Sequence, residues 1–399
     1  MAHLKSLKRL FLCFHLCGLS LVNFDSLQKS TKKKKYINFK AYMGHFLHLL
    51  LTCGNFIFVF TCPNAVIFPL DPLGKFNDWI KYFAAIITSC MILIESYFRV
   101  QQLVDIYRYS LQIERIFTNI KIDLSQESEN SNRLFLKKFF FFTFLLIFLE
   151  ITTLAFLGNE TALFTNWLII FPLTIQSRFR QLQHIFLIDL CHHYSRILAS
   201  NVKQLAIFLN GLEIPPSSNG ASEEKYRLKF IHYRYKILQK SHHIIWKISN
   251  CVNQYFGWSQ VANYAFHFLQ LLIDFYWLYW RFYNESYGYG FWKTIGNLLH
   301  TFIILLLCFY SSESCLGTIH SISIWLHRVK FTLRDTRISE ILLNFSLQII
   351  QEPVIFQAME LFTIDFRPLR SMISAITTYM VLFVQFLPRL VTSSYLHID

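Results

Sequence analysis

Charge is scarce in this sequence. Asp, Glu, Lys and Arg make up 16% of the 399 residues, against roughly 25% in an average soluble domain. Glycine and proline are few as well, 12 and 9, which excludes collagen-like and low-complexity disordered chains. The nine cysteines form no Cys-x-x-Cys pair and lie scattered in apolar runs. That excludes a zinc ribbon or disulfide framework and reads them as small apolar packing residues. Glycine-rich phosphate loops, a nucleophile elbow and a zinc helix motif are all missing, so neither catalysis nor a cofactor or metal is expected. The pairs His192-His193 and His242-His243 do not change this, because adjacent residues do not share a helix face. What the chain has instead is apolar surface: 54% hydrophobic residues and 42 phenylalanines, with a mean hydropathy of +0.36.

A membrane helix needs roughly 20 mainly apolar residues. Seven such runs are present, at about 41–62, 77–98, 139–157, 163–187, 250–280, 292–316 and 371–390. The fourth contains Arg178 and Arg180, and the fifth is long enough to project beyond a bilayer. A shorter apolar stretch, 10–24, follows Lys5, Lys8 and Arg9. It is too short to span and is read as an uncleaved interfacial helix. Cleavage would leave the cluster Lys32–Lys35 outside, against the usual bias.

Basic residues fix the direction of the spans. Segments 1–40, 99–138, 191–249 and 317–370 carry 9, 7, 9 and 6 Lys/Arg, 31 of the 38 in the chain. The alternate segments carry three, and four lie inside spans. The positive-inside rule therefore places the N-terminus in the cytoplasm and the C-terminus outside. The net charge of +14 reflects this asymmetry, and no nucleic-acid partner is expected. The sequons at Asn159 and Asn284 fall in outside loops, whereas that at Asn344 falls inside.

The expected fold is an all-α membrane protein with seven transmembrane helices and long cytoplasmic helical extensions. Residues 1–40 form a cytoplasmic N-terminal segment. Residues 41–316 form a six-helix ligand-binding bundle with a flexible Pro- and Ser-rich loop near 213–225. Residues 317–370 form a cytoplasmic anchor region, and 371–399 a seventh span with a short outside tail. Segments 226–247 and 319–352 mix apolar and charged residues at helical spacing and are read as helices continuing from the spans. A G-protein-coupled receptor has the opposite orientation, and its Asp-Arg-Tyr and Asn-Pro-x-x-Tyr signatures are absent.

The last span contains Thr378-Tyr379-Met380-Val381-Leu382-Phe383-Val384-Gln385-Phe386. This run, Thr-Tyr, five hydrophobic residues, Gln-Phe, resembles the signature of the final helix in the insect gustatory receptor family. Leu361-Phe362-Thr363-Ile364-Asp365 upstream and Asn253-Gln254-Tyr255-Phe256-Gly257 in the fifth span are similar to that family too. The resemblance implies a ligand-gated, non-selective cation channel in the plasma membrane of chemosensory neurons, on the dendrite. It implies a homo- or hetero-tetramer with the final helix of each subunit lining the pore, a small-molecule tastant as ligand and lipid as surroundings. Sugar-responsive members typically carry Glu after the Thr-Tyr pair. Met380 stands there, so a bitter-type or orphan receptor is implied. The alternatives are an odorant receptor subunit of the same superfamily, or a seven-span receptor signalling through a cytoplasmic partner.

On a helix, Ser374, Thr378, Val381 and Gln385 form one uncharged stripe. Neutral oxygens along a narrow path can replace part of an ion's hydration shell; the competing role is helix packing. Phe386 would form a hydrophobic constriction, Tyr379 would bond a neighbouring helix, and Pro388 and Arg389 follow near the outer mouth. Ionisable residues within spans mark functional sites by default, which points to Glu150 and Asp274. Glu95 is read as interfacial, and Arg178 and Arg180 as snorkelling or pairing with Asp189. The aromatic run 275–280, with Tyr276 and Trp277, is either an interfacial belt or, with Trp167, a wall for an amphipathic ligand.

Overall fold

The computed structural model describes residues 13–22, 39–61, 72–120, 125–157, 161–211, 221–285, 287–329 and 336–395. Its helices are α1 (Phe39–Thr61), α2 (Pro72–Phe98), α3 (Val100–Asn119), α4 (Ser125–Leu157), α5 (Thr161–Asn210), α6 (Ala221–Tyr283), α7 (Tyr289–His327) and α8 (Thr336–Gln351). A small antiparallel hairpin, β1 (Gln357–Ala358) and β2 (Phe362–Thr363), then leads into α9 (Phe366–Tyr395). The seven expected spans fall one each on α1, α2, α4, α5, α6, α7 and α9. Among the described residues, Tyr42–Thr61, Gly74–Phe98 and Gly290–His327 are long and apolar enough to cross a bilayer by composition alone.

The spans on α5 and α6 carry polar residues that the bundle buries. On α5 the run Gln176, Ser177, Arg178, Arg180, Gln181, Gln183 and His184 is buried throughout. Its partners lie on α6: Asn263 and Gln260 both donate to the Gln181 amide oxygen, at 3.0 and 2.9 Å. A helix so polar crosses a membrane only with that face turned to protein.

At 1.5 Å per residue, the 50-residue α5 and the 63-residue α6 are about 75 and 95 Å long, well beyond a hydrocarbon core of about 30 Å. They are the axis of the molecule. The most extensive packing is between α5 and α7, and α6 touches α2, α3, α5, α7, α8 and α9. The connection after α2 is α3, packed on α6, followed by the first turns of α4. The helix expected to run on from α7 stops at His327, and α8 restarts at Thr336. One large apolar cluster fills the space around α3, α5, α6, α7 and α8. A second, of Val59, Tyr82, Ala85, Ile86, Leu173 and Phe266, lies among α1, α2, α5 and α6, in the half that the charge count places outside.

Of the expected interfacial helix at 10–24, the described part is one helical turn at 13–16 and an irregular stretch to 22. Phe14, Leu19, Leu21 and Val22 are fully buried. The Leu19 carbonyl accepts hydrogen bonds from the Tyr255 hydroxyl at 2.6 Å and Gln183 Nε2 at 3.3 Å. Gly44 of α1 allows this insertion, since a Cβ there would lie 2.2 Å from the His15 carbonyl oxygen. The cluster Lys32–Lys35, the sequon at Asn159 and residues 213–220 of the loop expected at 213–225 lie outside the described residues, and 221–225 belong to the start of α6 rather than to a loop.

Candidate functional site

The N-terminus of α9 is built by its own sequence. Asp365 Oδ1 accepts the Arg367 backbone N–H at 2.8 Å, an aspartate N-cap. Its other oxygen takes Thr363 Oγ1 and Arg367 Nε, both at 2.7 Å. Partial burial works to raise the Asp365 carboxyl, but the bonds from Arg367 and Thr363 outweigh it and hold it below the usual carboxylate range. From there α9 attaches to α6 and α7 by one narrow stripe: Ile376 is buried, and Met372, Met380 and Phe383 are partly so. Phe383 packs edge-on against Tyr276 with centroids 5.1 Å apart. At 100° per residue, Ser374, Thr378, Val381 and Gln385 project to the diametrically opposite side. All four are exposed. Tyr379, at 45% exposure, lies beside Met372 at the edge of the packed stripe. The side chains of Phe386, Pro388 and Arg389 lie outside the described residues.

A second group of candidates meets between α2, α4, α5, α6 and α7. Asp274 accepts Lys81 Nζ at 3.0 Å. Arg178 lies within electrostatic reach of Asp274 and Glu150, and Lys293 within reach of Glu150, Asp274, Lys81 and Arg281. Arg281 donates to the Gly290 carbonyl and the Thr294 hydroxyl, joining α6 to α7. Three of the four basic residues inside spans thus converge on Glu150 and Asp274. Sequence reasoning chose Glu150 and Asp274 but not Lys81 or Lys293. The available signal was the rarity of such charges, which makes mutual pairing the default.

The aromatic run of α6 divides by face. Tyr276 is fully buried against α9, and Trp277 is half-buried, edge-on to Tyr276 and Trp280. Phe275, Leu278, Tyr279 and Phe282 turn the other way and, with Phe291, Ile295 and Met380, line an apolar cavity of about 260 Å³. Their spacing of three, one and three is the readable signal. The Trp167 side chain lies outside the described residues.

Glu95 and Arg180 form a clamp on a break in α6. Gly257 has non-helical dihedrals, φ 15° and ψ −118°, which split α6 into 221–256 and 258–283. The break leaves the N–H groups of Trp258 and Ser259 at a new helix start. Glu95 accepts both, at 2.7 and 2.9 Å. It is buried rather than interfacial. Arg180, fully buried, sits 3.9 Å from Glu95 and over the rings of Tyr255 and Phe256. It donates to the Tyr255 carbonyl and to Ser259 Oγ, both at 3.0 Å. The pairing of Arg180 with Asp189 anticipated from sequence is replaced by this clamp, and Asp189 instead accepts Lys138 of α4 at 2.8 Å. The geometry needs glycine: a Cβ at 257 would lie 2.6 Å from both Glu95 Oε1 and Arg99 Nη1.

Four residues earlier, Asn253 holds the approach to the hairpin. Its Nδ2 donates to the Ile355 carbonyl at 2.9 Å and its Oδ1 accepts the Gln357 N–H at 3.0 Å. The run 253–257 therefore connects the break in α6 to the chain entering α9. In the half that the charge count places inside, His243 bonds Glu352 at 2.8 Å and His192 bonds Thr318 at 3.1 Å. His242 is fully buried against Phe345. Burial pushes its imidazole down to about 4, with Glu352 pulling upward and His243 downward. Among the described residues no three His, Cys, Asp or Glu converge to hold a metal ion.

The fold and these sites define a multi-helix membrane receptor. The 7tm chemosensory receptor family matches residues 7–387, and the chain belongs to that family. It is a receptor family, not one of enzymes. The fold is similar to the insect olfactory receptor OR5 from Machilis hrabei, with a TM-score of 0.63 at 12% identity, covering 96% of this chain and 99% of that one. It is equally similar to the same receptor in complex with eugenol, with a TM-score of 0.63 at 13% identity over the same shares. No curated protein matches the chain by sequence.

Proposed function

We propose that the chain is a gustatory-type receptor acting as a ligand-gated, non-selective cation channel of the plasma membrane, of the bitter or orphan type. In this reading four subunits, of one or more kinds, surround a pore lined by α9, and a small molecule binds in the half of the bundle facing outside. The observation that carries the reading is α9 itself. It is tethered along one side by Met372, Ile376, Met380 and Phe383, while Ser374, Thr378, Val381 and Gln385 face away from the chain. A lipid-facing helix has no use for an exposed Gln, whose unpartnered amide in hydrocarbon costs several kcal/mol. Water in a pore satisfies it.

Further features support the reading. On the cytoplasmic side, Leu343, Leu347 and Ile350 of α8 form an exposed apolar stripe, at 59, 45 and 71% exposure, which suits contact with other subunits. The 31 basic residues on one side suit an inside N-terminus. The Thr378–Phe386 run favours the gustatory over the odorant branch, and Met380 argues against sugars. Ligand binding would reach α9 through the outer half of α6, the break at Gly257 and the Asn253 clamp.

The test is current under voltage clamp in cells expressing the chain, alone and with other gustatory receptors, during a panel of bitter compounds and sugars. Gln385→Ala and Phe386→Ala should alter the gating or ion selectivity of the evoked current at equal surface level. An evoked current whose selectivity and gating neither substitution touches would remove α9 from the pore.

A further inference from the structure

The charged centre of the outer half is short of acceptors. Arg178 is 2% exposed, yet its Nε and Nη1 have no hydrogen-bond partner. His267, at 0% exposure, has no partner on either ring nitrogen, and His300, at 1%, has only the Phe142 backbone within reach. The three are mutual electrostatic neighbours drawn from α5, α6 and α7. Tyr82 OH on α2 and Thr301 Oγ1 on α7 are also buried and unbonded, as are the acceptors Asp274 Oδ2 and Gln270 Oε1 on α6. The hydroxyls and neutral imidazoles can also accept, but the Arg178 guanidinium can only donate. Charge is unbalanced too: Lys81, Arg178, Arg281 and Lys293 face Glu150, Asp274 and Asp78, four cations to three carboxylates.

Burying one unmatched donor costs several kcal/mol, and burying an uncompensated cation costs more. A native bundle retains such a group where a partner arrives from outside. Arginine prefers a planar anion that accepts two parallel N–H bonds. The surroundings are apolar: Phe142 stacks edge-on to His300 at 5.8 Å. Phe266 and Leu173, in the same stretches of α6 and α5 as His267 and Arg178, belong to the small apolar cluster with Tyr82.

We propose that Arg178, with His267 and His300, forms a site for the carboxylate of a small amphipathic organic acid, its apolar body lying against the Phe266–Leu173 cluster. The ligand is then acidic rather than a sugar or a cationic alkaloid. This rests on the reading of the outer half of the bundle as the ligand-binding region.

Binding is measured on the purified full-length protein in lipid nanodiscs by calorimetry, with benzoate and its neutral isostere benzamide as probes, in chloride-free buffer. Benzoate should bind at least tenfold more tightly than benzamide. Arg178→Gln should erase that preference, and Arg178→Lys, which keeps the charge but not the fork, should retain part of it. The comparison of the two probes on the unaltered protein does not depend on either variant folding. Equal affinity for benzoate and benzamide, or no binding of either, overturns the proposal. Benzoate binding abolished by 150 mM chloride also overturns it, leaving a site for inorganic anions. The channel reading fails separately: benzoate bound with no current from any subunit combination removes the channel and leaves this site. Currents evoked equally by acids and their amides do the reverse.

Discussion

At the scale of single residues, Glu95 has the largest consequence. Its carboxylate is the acceptor for two backbone N–H groups and the counter-charge to a fully buried arginine. Glu95→Gln keeps the size but removes the charge. It should lower the unfolding free energy by about 3 kcal/mol, read as a fall in thermal midpoint in detergent. Combined with Arg180→Met the two losses should not add, and a strictly additive result would sink the clamp. His242 gives a pH signature. Its folded-state pKa lies below the unfolded value of about 6.5. The neutral form is therefore the native one, and stability is complete above pH 6.5 and declines as pH falls towards 4. Between pH 7.5 and 5 this amounts to about 2 kcal/mol. His242→Phe should reduce the drop in thermal midpoint over that interval. His192, pushed down to about 4 by burial and by Arg196, will preserve part of it. The buried Glu95 was misjudged from sequence because helix-end position suggested the interface. Only the break at Gly257 creates the donors that hold it inside.

At the scale of elements, the hairpin and α9 act as one lever. The turn of the hairpin places Met359 and Glu360 in the left-handed region, at φ 50° and 59°, where glycine is the usual occupant. The surroundings impose this: Leu361 N–H bonds the Ala358 carbonyl at 3.0 Å, and Ile364 N–H bonds that of Phe356 at 2.8 Å. Asn253 fixes the lever to α6 with both atoms of its amide. Asn253→Ala removes two hydrogen bonds, about 2 kcal/mol in total. If the lever transmits gating, the concentration of ligand giving half-maximal current should shift several-fold with surface expression intact. An unchanged dose response would reduce Asn253 to a packing role. Substituting leucine at Ser374 and Thr378, both exposed on α9, should leave stability within about 0.5 kcal/mol, as for surface positions. It should nevertheless reduce unitary conductance.

At the scale of the whole molecule, the long helices carry two distinct regions. One region gathers the charged centre of Asp274, Glu150, Arg178 and Lys293, and the large apolar core extends from α3 and α8 along α5, α6 and α7 as far as Leu271 and Ile304. The long helices α5 and α6 run through both, and α6 breaks at Gly257. Gly257→Ala would push a methyl group into Glu95 and Arg99. Because Glu95 is held by two N–H groups, the carboxylate cannot move away without losing them. The variant should lose stability comparable to Glu95→Gln. It should also change ligand potency if the break is where the two regions communicate.

That the chain is helical, where its long helices lie and the final-helix motif were legible because each depends on hydropathy or local spacing, and the charge asymmetry from which the direction is inferred is read from the sequence alone. A lipid solvent imposes these directly on the chain. The stripe on α9 was legible too, since helical geometry alone puts Ser374, Thr378, Val381 and Gln385 on one face. Which face of α9 packs, that Arg180 serves Glu95 and not Asp189, and that residues 13–22 enter the core were decided by tertiary structure. So was the gathering of Lys81, Arg178, Lys293, Glu150 and Asp274. Those contacts join residues up to 236 positions apart, as between Tyr255 and Leu19. A buried charge finds its partner by where helices pack, not by distance along the chain.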